Sequence, residues 1–338
     1  MFMLLAQIAP QRSTQYSDVA NQLAPHELAL SPVGSLITAM TPVTLAGQAY
    51  IKCELQEDGR ETHLSETRLR ELGWLSMTSA FFRYYDRLGD LDGPFLKPLD
   101  IEWTPALPPS LISTRRYQGK TNELLTHFLC NLARFSSDFA RMPWNELRIF
   151  DPLCGGGTTL FVGLVLGAGV AGIEIHKKDV HSTAVFLKQY AKEQNIAYTV
   201  KDERLKKLNA NRWWFTLGEE PQQQCFLVKG DTARAPELIS GFKKPHLIVA
   251  DLPYGIQHKG PLNALLSEAL PGWLAHLMPG GALALAWDAT RFTRDTMIAM
   301  LASQSCLTVL NDPPYNQLAH RVDRVIKHRD VIVARAAS

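Results

Sequence analysis

From residue 147 to the C-terminal end, short apolar runs alternate with stretches of helical periodicity, and this alternation limits the fold more than any other feature of the chain. Leu147 to Asp151 (LRIFD), Val170 to Ile175, Cys225 to Val228, His246 to Asp251 (HLIVAD), Ala282 to Trp287 (ALALAW), Cys306 to Leu310 and Asp330 to Ala334 read as strands. Residues 157–166 and 180–194 read as helices between them, and residues 122–135 (NELLTHFLCNLARF) as a helix before the series. The expected fold class is α/β, a mostly parallel, doubly wound sheet of seven strands with helices on both faces. Ligands of such sheets sit beyond the carboxyl ends of the strands, at the switch point.

The predicted domain division is 1–110, a smaller α+β region, and 111–338, the doubly wound domain. In the first part, Met1 to Pro10 reads as a strand or helix rather than a signal peptide, because no basic segment precedes it. Pro42 to Leu55 looks like strand material, and Ser65 to Leu88 like one or two helices interrupted near Gly73. Five prolines between Gly93 and Pro109 predict a linker or extended crossing segment. Charge is divided unevenly: residues 1–110 hold 8 basic and 13 acidic side chains, against 27 and 20 in the rest. A basic second part suits a polyanionic partner. The five cysteines are scattered with no C-x-x-C pair, which disfavours structural zinc and fits a reducing, cytoplasmic setting. No run of 18 apolar residues predicts a membrane span, and no metal site is expected.

The first predicted strand runs into Asp151-Pro152-Leu153-Cys154-Gly155-Gly156-Gly157-Thr158, which opens a helix. Three glycines let the backbone turn sharply and approach a ligand closely. Glu174 ends the next strand, 23 residues after Asp151, where an acid can accept both ribose hydroxyls. A nicotinamide dinucleotide is disfavoured, because its loop requires a small residue where Leu160 stands. A phosphate loop is disfavoured because no Gly-Lys-Ser/Thr follows. Asp151 would repel a pyrophosphate and suit a cationic ligand, and S-adenosyl-L-methionine carries an ammonium, a sulfonium and a ribose.

On these residues the chain resembles the class I S-adenosylmethionine-dependent methyltransferases. The D-P-x-C-G-x-G-T form is similar to that of the RNA guanine-N2 methyltransferases often joined to THUMP domains, although residues 1–110 hold no recognisable THUMP pattern. The resemblance covers residues 111–338 and implies a Rossmann-like domain. It implies cofactor contacts from Asp151, Cys154, Gly155, Gly157, Thr158 and Glu174, and from Asp231 and Thr232 after the third strand, with Asp231 on the adenine amino group.

Asp251-Leu252-Pro253-Tyr254-Gly255, at the end of the fourth strand, resembles the [N/D]-P-P-Y motif of amino-methyltransferases. An exocyclic amine on a base is a poor nucleophile, because its lone pair is delocalised into the ring. Asp251 and a main-chain carbonyl near Leu252 can accept its hydrogens, Pro253 fixes the turn, and Tyr254 offers a ring face to the base. Asp312-Pro313-Pro314-Tyr315 matches the string more closely, but by strand order it falls in the last hairpin, away from the switch point.

Arg115, Arg116 and Lys120, around Tyr117, resemble the segment preceding the first motif in the same family and suit phosphate and base contacts. His258 and Lys259 are expected at the rim of the pocket. Lys201 to Trp214 reads as a basic helix, with Trp213 and Trp214 as packing anchors, while His127 and His246 read as structural. The expected activity is methyl transfer to an exocyclic amine of an RNA base, guanine N2 in tRNA or rRNA. Adenine-N6 transfer on DNA or RNA and a catalytically inactive cofactor-binding RNA module are the alternatives.

Overall fold

A computed structural model of the chain describes residues 2–10, 14–56, 64–101, 103–117, 119–253, 262–322 and 328–338. These form two compact units, one of residues 1–104 with 312–328, the other of residues 105–311 with 329–338.

The first unit contains β1 (Phe2–Ile8), α1 (Thr14–Leu30), β2 (Ile37–Leu45), β3 (Gln48–Leu55), α2 (Glu66–Gly73), β4 (Thr78–Leu88) and β5 (Leu91–Pro98). Its antiparallel sheet has the order β2-β3-β1-β4-β5. Central β1 is nearly all apolar, and Leu4, Leu5 and Ala6 are fully buried. Glu27 of α1 is also buried, where its carboxylate accepts from the Ser76 and Met77 amides and the Ser76 hydroxyl at 2.7–3.0 Å. Two sequence expectations change here. Residues 78–88 form a strand, not a helix, because Phe81, Phe82, Tyr84 and Tyr85 favour a pleated surface. The proline-rich stretch begins with β5, an edge strand, where Pro94 need not donate to a ladder.

The second unit begins with α3 (Ser110–Thr114) and α4 (Glu123–Ser136). There follow β6 (Arg148–Asp151), α5 (Thr158–Leu166), β7 (Gly169–Glu174), α6 (Lys177–Glu193), β8 (Tyr198–Leu205), β9 (Ala210–Leu217), β10 (Gln223–Lys229), α7 (Ala235–Leu238) and β11 (Leu247–Asp251). The chain ends with α8 (Leu262–His276), β12 (Ala282–Asp288), α9 (Arg294–Ala302), β13 (Leu307–Leu310) and β14 (Arg329–Ala336). The sheet order is β13-β14-β12-β11-β6-β7-β10-β9-β8. β6, β7, β10, β11 and β12 are mutually parallel, and β14 runs against β12. Strands add in one direction from β6 to β10, and in the other from β11, so the switch point lies between β6 and β11. The α/β expectation holds, with nine strands among the described residues rather than seven.

The two additional strands replace the helix expected over residues 201–214. β8 and β9 form an antiparallel hairpin added beyond β10. Trp213 is buried, and the Trp214 ring lies 4.5 Å from that of Phe226, so both tryptophans pack within the unit.

α5 is buried along its whole length, so it sits as a central helix under the sheet's glycine loop. A Cβ on Gly163 would lie 2.5 Å from Val170 Cγ1. Helix and strand thus approach closely at two levels, since a Cβ on Gly172 of β7 would also lie 2.9 Å from Leu160 Cδ1. No helix among the described residues is long and apolar enough to cross a membrane.

Candidate functional site

Four carboxylates stand at or just past the ends of four successive strands: Asp251 on β11, Asp151 on β6, Glu174 on β7 and Asp231 after β10. Three are largely removed from water, Asp151 at 3% exposure, Glu174 at 6% and the Asp251 side chain at 12%, while Asp231 is exposed. Such a convergence of acids costs free energy unless hydrogen bonds or a cationic ligand offset it.

The glycine loop is held from both sides. The Cys154 amide donates to the Ile173 carbonyl at 2.9 Å, and the Gly155 amide donates to Glu174 Oε2 at 3.1 Å. Glu174 Oε1 accepts from the His176 amide at 2.7 Å. Glu174 is therefore fixed by the backbone on both oxygens, and it fixes the loop in return. Gly155 and Gly157 have φ of +49° and +89°, which L side chains rarely adopt. A Cβ on Gly155 would meet nothing within 4 Å, so the loop leaves open space on that side. Cys154 turns inward: a Cβ on Gly172 of β7 would meet its Sγ at 2.8 Å. Burial pushes its thiol pKa well up, so it packs as a neutral group.

Burial, the largest effect, raises the Asp151 carboxyl to about 7; hydrogen bonds from Thr159 and the Leu153 amide oppose this, and the charges of Asp251 and Glu174 add to it. Asp251 Oδ2 accepts from the Thr121 hydroxyl at 2.7 Å and lies 3.4 Å from the guanidinium of Arg329, which opens β14. The next residue, Leu252, is fully buried, its amide donating to the Ala286 carbonyl at 2.8 Å, and Pro253 is half-buried. Asp231 caps a short helical turn by accepting from the Ala233 amide at 3.0 Å. Buried Thr232 accepts at its hydroxyl from Trp273 Nε1 at 2.9 Å. Tyr254, His258 and Lys259 lie outside the described residues.

The segment before α4 departs from expectation. Arg115 donates to the Gly156 carbonyl, to the Thr183 hydroxyl and to the Ser182 hydroxyl, and stacks 5.0 Å from the Tyr117 ring. Tyr117 covers Gly156, whose added Cβ would fall 2.3 Å from the ring, and its hydroxyl bonds that of Thr158. Lys120, with a side chain only 14% exposed, donates to the carbonyls of Ile112 and Arg115 and pairs with Glu123. Arg115 and Lys120 were expected on substrate phosphates. The fold instead directs their charges to carbonyl and hydroxyl oxygens of the chain, where they lock a strap over the glycine loop. Arg116 alone of the three is exposed.

Thr121 and Arg329 were missed by the sequence reading. They meet Asp251 across 130 and 78 residues, and no local pattern marks such contacts. Asp312 to Tyr315 follows β13, three strands outward from β11, and groups with the first unit. His246 is structural: its Nδ1 accepts from the Arg148 amide at 3.0 Å, and burial lowers its pKa to about 4, with the Arg148 charge adding to the effect.

No family model matches this sequence, and no curated protein matches it. Among solved structures it is similar to TrmN from Thermus thermophilus, at 15% identity over 99% of this chain and 100% of that one, with a TM-score of 0.46. It is similar to an rRNA methylase from Streptococcus thermophilus, at 13% identity over 66% and 100% of the two chains, with a TM-score of 0.36. A third is the T. thermophilus 16S rRNA N2 methyltransferase RsmC in complex with AdoMet and guanosine, at 13% identity over 90% of this chain and 59% of that one, with a TM-score of 0.37. These are likenesses of fold alone.

Proposed function

We propose that the chain is an S-adenosylmethionine-dependent methyltransferase acting on an exocyclic amine of an RNA base, with guanine N2 as the acceptor. The observation that carries this reading is the row of four carboxylates around a glycine loop at the switch point. The residues fit the cofactor. Open space over Gly155 admits a ligand, and the buried Asp151, whose burial its hydrogen bonds only partly offset, favours a cationic group beside it. Glu174, held rigidly by two amides, is set to receive the ribose hydroxyls, and Asp231 the adenine amino group.

When bound, S-adenosylmethionine would supply a methyl group on a positively charged sulfur, which leaves as the neutral thioether S-adenosylhomocysteine when its bond to the methyl breaks. The chain's part is positioning. Asp251 accepts an N–H of the acceptor amine, which turns the nitrogen lone pair out of conjugation with the base. As the new N–C bond forms, the carboxylate takes the proton that the nitrogen gives up. Thr121 and Arg329 fix the rotamer of Asp251 from the Oδ2 side, so its orientation is set before the substrate arrives. Neutralising half-buried Asp251 in part through Arg329 also lets three acids coexist in one pocket.

The test uses deuterated-methyl S-adenosylmethionine with pooled RNA and DNA, followed by nucleoside mass spectrometry. Labelled N2-methylguanosine is expected. Labelled N6-methyladenosine would keep the cofactor reading and replace the acceptor. No labelled nucleoside, together with thermal stabilisation by NAD as large as that by S-adenosylhomocysteine, would overturn both.

A further inference from the structure

The β8–β9 hairpin carries a groove of about 570 Å³ lined by Arg204, Leu205, Lys206, Lys207, Leu208 and Arg234, with Glu237 and Ser240 closing one side. Its floor is apolar, since Leu205 and Leu208 pack against the core. Its walls are cationic. Arg234 is paired with Glu237 at 2.7 Å, and Arg212 with Glu203 at 2.6 Å. Arg204, Lys206 and Lys207 are exposed and make no ion pair among the described residues. Three like charges within four residues repel one another, and a bound polyanion relieves that repulsion.

The register fixes where this groove lies. Lys229 of β10 stands opposite Glu174 of β7 on one side and Asn211 of β9 on the other, and Leu205 of β8 pairs with Ala210. The hairpin turn therefore projects past the same strand ends as Asp151, Glu174 and Asp251. β8 is three strands from β7 and five from β11, or about 14 and 24 Å at 4.8 Å per strand.

We propose that this groove holds the phosphate backbone of a helical RNA arm whose flanking nucleotide reaches Asp251. This inference rests on the methyltransferase reading for the choice of RNA, but its binding test does not. A span of about 24 Å covers several base-pair steps of an A-form helix, so the phosphates held here belong to a different part of the RNA from the reacting base. Arg204 contributes a planar fork that matches phosphate oxygens, and the two lysines contribute point charges. Phosphate contacts of this kind set register and orientation without reading sequence. The groove thus takes over the role that Arg115 and Lys120, locked into the strap, do not fill.

The experiment compares the parent with Arg204→Ala/Lys206→Ala/Lys207→Ala and with a control, Lys192→Ala/Lys243→Ala/Lys244→Ala. The control lysines are exposed and lie at the opposite, amino ends of the strands. Fluorescence anisotropy with a labelled RNA stem-loop is measured over a salt series, and S-adenosylhomocysteine affinity by calorimetry reports an intact fold. The groove variant is expected to bind RNA at least about tenfold more weakly and to reduce the salt slope by up to about 2.7, three phosphates' worth. The control should retain most of the parent's slope, and cofactor affinity should be the same in all three. Equal RNA binding by the groove variant and the control would overturn the proposal. Displacement of the RNA by poly-glutamate at equal charge concentration would overturn RNA in favour of an acidic polypeptide. If the parent binds no S-adenosylhomocysteine, the methyltransferase reading fails, while a groove-dependent salt slope still supports the RNA surface.

Discussion

Replacing Asp151 by Asn should make the binding of S-adenosylhomocysteine nearly independent of pH between 5 and 8. In the free protein burial raises this carboxyl to about 7. At pH 8 about nine in ten molecules are then ionised, and at pH 5 about one in a hundred. If the ligand's ammonium pairs only with the carboxylate, parent affinity falls roughly a hundredfold from pH 8 to pH 5, or about 3 kcal/mol. Calorimetry at pH 5, 6, 7 and 8 in buffers of different ionisation enthalpy would also show close to one proton released on binding at pH 6. The Asn variant should bind weakly at every pH and release no proton. Folding moves the other way. The folded pKa lies above the unfolded 3.8, so the folded chain holds this proton more tightly, and ionisation destabilises it most above pH 7. That penalty, on the order of 4 kcal/mol for a shift of about three units, disappears as pH falls from 7 towards 4. Asp151→Asn should therefore be more stable than the parent at pH 7.5 and little different at pH 4. A flat affinity profile in the parent, or a sloping one in the Asn variant, would refute this account of the pocket.

Three further outcomes are expected. Asp251→Ala should lower single-turnover methyl transfer by more than about a hundredfold with cofactor affinity kept, whereas Asp312→Ala should stay within about tenfold, or 1.4 kcal/mol of barrier; the reverse pattern would move the reacting motif to residues 312–315. Arg115→Ala should weaken S-adenosylhomocysteine binding by loosening the loop at Gly156 and leave the salt slope of RNA binding unchanged, as calorimetry and anisotropy would show; a reduced slope with normal cofactor affinity would return Arg115 to the RNA path. Gly172→Ala should destabilise the chain by about 1–3 kcal/mol in denaturant unfolding, since the added methyl meets Cys154 and Leu160 within 3 Å, and an unchanged midpoint would mean that the loop can shift freely.

The buried parallel strands were legible because runs such as HLIVAD and ALALAW leave little besides a strand covered on both faces. The glycine loop was legible because its chemistry is local. β8 and β9 were not, because a dense basic run overlies their period of two, which shows most clearly in the burial of Trp213, Phe215 and Leu217. β4 was misread for a related reason: its aromatic pairs also fit helical spacing, and pairing with β1 and β5 decides the matter. The strap shows a different limit. Sequence reveals that Arg115 and Lys120 are cations, but not that Gly156, Ile112 and Arg115 itself will turn carbonyl oxygens toward them.

The order of the large sheet also bears on how the chain avoids self-association. Among the described residues its outermost strands, β8 and β13, each leave one row of backbone amides and carbonyls without a sheet partner. An open edge invites the edge of another molecule to continue the ladder. β13 is only four residues long, so it offers few groups to such a copy. β8 has eight, but Lys201, Asp202, Glu203 and Arg204 occupy its middle. A second β8 laid antiparallel against it in the register that places Lys201 opposite Arg204 would also place Asp202 opposite Glu203, and any register would have to strip water from these charges. Neutral substitutions across residues 201–204 would thus expose the chain to fibrillar association at this edge, even though none of those four side chains lies in the core.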